Sequence, residues 1–202
     1  MRRNERSEHS QRQVLDAALD LFSHQGYRAT TMREIADKAG VSTGNVYHHF
    51  EDKEQIFRTL LDEFWTISES RRYPYTRALA SGYFPGNLEE LGLAARDSVR
   101  DFRSYVALIY VDVIEFDGTH IQKFYGEMGK RYARMFTGGG LEEIRGQLRP
   151  GVSPVSALLM TTRIFFNYFS LEILFNVPRP YGKDSKQIIR EIADILRHGM
   201  VA

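Results

Sequence analysis

The segment TTMREIADKAGVSTGNVYHHF, residues 30–50, leaves the chain few local conformations. Thr31 followed by Glu34 is a capping box, in which each side chain satisfies a backbone N–H at a helix start. Met32, Ile35, Ala36 and Ala39 then share one helical face. Gly40 ends that pattern, because glycine accepts the left-handed conformation of a tight helix stop. Val41 is an apolar plug, and Ser42 caps a second short helix, TGNVYHHF. Two helices joined by a four-residue turn containing glycine form a helix-turn-helix.

Elsewhere the apolar spacing is helical nearly throughout, so the chain is expected to be all-α. Val14, Leu15, Ala18, Leu19, Leu21 and Phe22 stripe a helix over 13–23, with Gly26 where its cap belongs. Asp52, with Gln55 reaching back, opens a helix through Ile56, Leu60, Phe64 and Ile67 to about Ser70. RRYPYTRALASGYFPGN, residues 71–87, carries two prolines and two glycines and reads as a linker. Asn87 and Glu90 mark a new capped start. YVALIYVDVIEF is β-branched, yet no turn-bounded partner strand lies nearby, and helix is expected. Asp117 and Gly118 interrupt; Ile121, Phe124, Tyr125, Met128, Tyr132 and Met135 resume the helical spacing. TGGG, residues 137–140, reads as a flexible break. Ser153 and Pro154 then start a helix to about Phe175 that is apolar nearly all round. The last helix is striped by Ile188, Ile192 and Ile195. Helices this apolar need covering, which suggests a homodimer through 154–175 and 185–199; a central core helix is the alternative.

The sequence has 202 residues and no cysteine, which removes disulfides and thiolate chemistry and suits a reducing cytoplasm. The charged start, MRRNERSEHSQRQ, does not read as a secretory signal. No apolar run reaches the roughly 18 residues a membrane span needs. Net charge is only +1, and residues 1–53 hold eight basic and eight acidic side chains. Any attraction to nucleic acid must therefore come from local arrangement. Arg2, Arg3, Arg6 and Arg12 form either a basic arm or an ordinary solvated terminus.

In a helix-turn-helix the second helix enters the major groove of double-stranded DNA. On that reading Thr30, Thr31 and Arg33 lie at a helix start suited to phosphate. Ser42, Thr43 and Asn45 offer small hydrogen-bonding groups near base edges. Gly44 weakens so short a helix by roughly 1 kcal/mol against alanine, which close approach of DNA would explain. Tyr47 and His48 can meet phosphate or sugar, and Lys53 is a further phosphate contact. His48 and His49 point about 100° apart on a helix, so they are not the i, i+4 pair that chelates a metal. His49 instead suits packing against the first helix. No catalytic constellation, cofactor site or metal site is expected.

The stretch AALDLFSHQGYRATTMREIADKAGVSTGNVYHHFEDKEQIF resembles the DNA-binding domain of the TetR family of bacterial transcriptional repressors. The resemblance implies an all-helical homodimer of about nine helices. Three helices over 1–53 would bind DNA, and 54–202 would enclose a ligand and dimerise. It implies a repressor, not an enzyme, released from a palindromic operator by a small-molecule effector. The fourth helix, with Phe64 and Trp65, would transmit the signal. Abundant aromatic residues between Tyr105 and Phe175 suit an apolar or aromatic effector. Expected contacts are Phe64, Arg103, Tyr110, Glu115, Phe124, Arg163, Asn167 and Tyr168, the polar ones because they stand among apolar neighbours. Two alternatives remain at this point: a constitutive DNA-binding regulator without a ligand, and a helical small-molecule-binding protein.

Overall fold

The computed structural model describes residues 3–136 and 140–202, with the side chains of residues 3 and 4 left aside. Arg2, the side chain of Arg3 and residues 137–139 of the expected flexible break lie outside the described residues. Among the described residues there are eleven α-helices, one π-helical turn and no strand, the all-helical architecture expected. They divide into two compact units, Met1–Thr66 with Ser104–Lys123, and Ile67–Arg103 with Phe124–Ala202.

The first unit begins with α1 (Arg3–Gln25), which extends well beyond the striped residues 13–23. Val14, Ala18 and Phe22 are its buried face. Gly26 follows at φ +88°. α2 (Met32–Ala39) carries both halves of the expected capping box: Glu34 N donates to Thr31 Oγ1 at 3.2 Å, and Thr31 N donates to Glu34 Oε2 at 2.7 Å. Gly40 adopts φ 69°, and Ser42 Oγ caps α3 (Thr43–His49) by accepting from Asn45 N at 3.2 Å. α4 (Lys53–Glu69) is opened by Asp52 Oδ1, which accepts from Gln55 N at 2.7 Å. The Gln55 side chain returns to Glu51 N at 2.6 Å. The β-branched run is helix α7 (Arg103–Glu115), and Asp117 and Gly118, both at positive φ, end it.

The second unit corrects the expected linker. Residues 71–87 contain a helix, α5 (Pro74–Leu79), and bury Tyr73, Tyr75, Leu79 and Phe84. Proline at its first position is compatible with a helix start, and the aromatic residues supply apolar surface that a linker lacks. α5 packs on α6 (Leu88–Asp101), which also meets α10 (Pro154–Phe169) and α11 (Ser185–Met200). A Cβ at Gly92 would stand 2.7 Å from the Phe165 ring and 2.8 Å from Ile189, so glycine permits that packing. Asn87 does not cap α6. Its amide turns back to Ala78 O at 3.1 Å and Ser81 Oγ at 3.0 Å. α8 (Gln122–Met135) follows the expected periodicity, and α9 (Gly140–Gln147) is a further short helix that buries Ile144. Ser153 caps α10 as expected, and a π-helical turn, Ser170–Leu174, ends it.

Candidate nucleic-acid interface

α3 stands on Val46, which is fully buried, and turns Gly44, Tyr47 and His48 outward. Tyr47 is 55% exposed; Gly44 and His48 are exposed as well. A Cβ at Gly44 would meet only Ser42 Oγ, at 3.9 Å. No neighbour in the fold demands glycine there. Thr43 and Asn45 are half-buried, and the Asn45 Oδ1 atom is buried without a hydrogen-bond partner. His49 Nε2 pairs with Ser10 Oγ of α1 at 2.7 Å, which anchors the C-terminal end of α3. Burial, with His48 beside it, lowers the His49 pKa.

Three of the expected phosphate contacts change meaning. Thr30 is 1% exposed, and its hydroxyl donates to Gly26 O at 2.8 Å, so it is part of the fold rather than of the surface. Thr31 is exposed, but its hydroxyl donates to Glu34 Oε2 at 2.8 Å, and a phosphate there competes with the capping box. That hydroxyl and the Thr31 N–H hold the Glu34 carboxyl below its ordinary range. Lys53 Nζ donates to Tyr27 O at 2.6 Å and Thr30 O at 2.5 Å, and lies 4.1 Å from the centre of the Tyr27 ring. Its ammonium is thereby committed within the protein. Burial lowers its pKa against the opposing pull of Glu115 and Glu34. Arg33 remains outward, with Asp37 at 3.9 Å.

The expected effector contacts are divided between the two units. Phe64, Tyr110 and Glu115 belong to the first unit. Phe64 is buried, stacked on Tyr105 at 5.5 Å, and Glu115 binds backbone N–H groups of residues 27 and 28. In the second unit Arg103, Arg163 and Asn167 are exposed, which corrects their reading as stranded polar groups. They fall on outward faces, and the Arg163 guanidinium rests over the Tyr125 ring at 4.8 Å. Phe124 is half-buried beneath Arg131, at 4.6 Å. Tyr168 is buried and its hydroxyl has no partner. The sequence reading missed a hydroxyl cluster: Thr162 Oγ1 pairs with both Tyr75 OH and Tyr132 OH at 2.9 Å. It also missed an open recess of about 580 Å³ lined by Gly82, Tyr83, Gly86, Asn87, Glu90 and Gln147. Among the described residues no three His, Asp or Glu side chains gather as a metal site would require, and no helix is long and apolar enough to cross a membrane.

A capped seven-residue helix, delivered by a glycine turn and exposed along its outer face, defines a helix-turn-helix protein. Residues 14–60 match the family model of bacterial regulatory proteins, tetR family, which covers the helix-turn-helix and the helices around it. It is 30% identical over 131 residues to the HTH-type transcriptional repressor KstR2 of Rhodococcus jostii, covering 62% of this chain and 61% of that protein. The chain thus spans less than two thirds of that relative, and 28% of the HTH-type transcriptional regulator AcrR of Shigella flexneri, to which it is 44% identical over 64 residues. The solved structure of the ketosteroid transcriptional regulator KstR2 of Mycobacterium tuberculosis superposes with a TM-score of 0.59 at 25% identity, covering 94% of this chain and 93% of that one. The family model and the names of these relatives point to transcriptional regulators, not enzymes.

Proposed function

We propose that the chain is a cytoplasmic transcriptional repressor that binds a palindromic operator as a homodimer and is released by a small, largely apolar or aromatic effector. The observation that carries this is the exposed face of α3, with Gly44, Tyr47 and His48 outward and no fold-internal reason for the glycine. Ser42, Thr43 and Asn45 lie at the end of α3 that reads base edges, and Arg33 serves a phosphate. Two such helices in a dimer would address half-sites roughly 34–36 Å apart or at a larger spacing. Residues 1–53 carry recognition in this reading, and 54–202 carry dimerisation and effector binding. Met160 (59% exposed), Ile164 and Ile195 (64% exposed) leave apolar surface on α10 and α11, which supports pairing through 154–175 and 185–199. The names of the KstR2 relatives support repression and an apolar effector. Tyr168, whose buried hydroxyl lacks a partner, has the strongest case as a polar effector contact.

The test is to select duplexes from a random-sequence pool with the wild-type protein and measure binding of Tyr47→Ala/His48→Ala to the best one. The double variant is expected to lose about tenfold or more in affinity, since each contact of this kind is worth of order 1 kcal/mol. Wild-type binding should also fall steeply with salt as counterions are released. Unchanged affinity in the double variant would overturn the assignment of α3 as the recognition helix.

A further inference from the structure

The turn between α1 and α2 is short of partners within itself. Glu115, the last residue of α7, supplies them. Its Oε1 accepts from Tyr27 N at 3.0 Å, and its Oε2 accepts from Arg28 N at 2.6 Å. Arg28 Nη2 returns a bond to Glu115 O at 3.2 Å. The fit is close: a Cβ at Gly26 would stand 2.7 Å from Glu115 Oε1. Behind the carboxylate, Phe116 packs on the Tyr27 ring at 4.6 Å and stacks on Phe57 at 5.1 Å. His120 closes the other side of Phe116 at 4.7 Å and is itself held by buried Asp112, whose Oδ1 lies 2.6 Å from His120 Nδ1. Lys53 takes the carbonyls of Tyr27 and Thr30. The turn that leads into the cap of α2 is therefore gripped by an anion on its N–H groups and a cation on its carbonyls.

We propose that Glu115 is a positioning residue for DNA recognition: by binding the N–H groups of Tyr27 and Arg28 it fixes the entry of α2, and through α2 the presentation of α3. This rests on the DNA-binding reading above. It makes an acidic residue, which by charge alone opposes a polyanion, a requirement for tight binding. The two effects have opposite signs, and that separates them.

The experiment uses the full chain and a duplex selected from a random pool by the wild-type protein. Glu115→Gln removes the charge and sets an amide NH2 against one of the two N–H donors. Glu115→Asp keeps the charge but withdraws the carboxylate by a methylene. Both variants are expected to bind the selected duplex roughly tenfold more weakly, the scale of one lost charge-assisted hydrogen bond. Their affinity for scrambled duplex at the same salt should change far less. If Glu115→Gln binds the selected duplex as tightly as wild type, or more tightly, the proposal is overturned and charge alone governs. Amide exchange in the wild type needs no variant: Tyr27 and Arg28 amides should be protected without DNA, and exchange at the rate of an open chain would overturn the proposal. A wild-type chain that selects no duplex at all would instead defeat the DNA-binding reading, while the amide protection would still report on the grip itself.

Discussion

The two units solve the same problem, holding polar groups in place, with different chemistry. In the first, charged side chains grip the backbone: Glu34 and Thr31 at the start of α2, Lys53 and Glu115 on the turn before it. In the second, neutral hydroxyls grip one another: Tyr75 and Tyr132 share Thr162, and Tyr75 N donates to Ser98 Oγ at 3.1 Å. Depth explains the choice. Glu34 is exposed and Lys53 and Glu115 are half-buried, so these ionised groups strengthen a hydrogen bond at a smaller desolvation cost than in a dry core. Tyr75 and Thr162 are buried, where an unpaired charge would cost several kcal/mol of desolvation on order-of-magnitude grounds.

That contrast is broken most directly at Thr162. The isosteric change Thr162→Val leaves the hydroxyls of Tyr75 and Tyr132 buried without their shared partner, an expected loss of about 2–6 kcal/mol at about 1–3 kcal/mol per orphaned group. The measurement is the denaturant midpoint; a loss below about 1 kcal/mol would show that water or a neighbour replaces Thr162. Alkaline pH sharpens the same comparison with a smaller effect. Burial pushes the Tyr132 hydroxyl up to about 12 and the Tyr75 hydroxyl well above its ordinary value. A phenol whose folded pKa is raised contributes stability that is full below the unfolded value of about 10 and lost as pH climbs through the folded one. Stability should therefore be flat approaching pH 10 and fall towards 12. Tyrosinate absorbance from these two residues should appear together with unfolding rather than before it.

How much of this was legible follows from sequence distance. The caps at Thr31, Ser42, Asp52 and Ser153 were readable because donor and acceptor lie three residues apart and local geometry decides them. His49 was readable as an inward residue from the helical period alone. Tyr75 was not, since its partners Ser98 and Thr162 lie 23 and 87 residues away, and two prolines disguised its helix as a linker. Asn87 had the composition of a cap, but a partner nine residues upstream took its amide. Glu115 was assigned to a ligand because its true partners are backbone N–H groups 87 and 88 residues distant, and no side-chain pattern marks those. Lys53 is a similar case, since its ammonium is held by carbonyls 26 and 23 residues away. Charges that serve the backbone look, in sequence, like charges that serve a ligand.

The smallest change tests the outer face of α3 by asking stability and binding to move in opposite directions. Gly44 lies inside a helix of only seven residues, and the nearest atom to a Cβ built there is 3.9 Å away. Gly44→Ala should therefore stabilise the isolated protein by up to about 1 kcal/mol, the helix-propensity difference, with no clash to offset it. If the missing side chain exists to let DNA come close, the same methyl group should weaken binding to the selected duplex even as it raises the melting temperature. A variant that gains stability and binds equally well would leave α3 in place as a recognition helix but remove close backbone approach at Gly44 from its mode of reading. A variant that loses stability would instead mean that Gly44 serves the fold, against the open space around it.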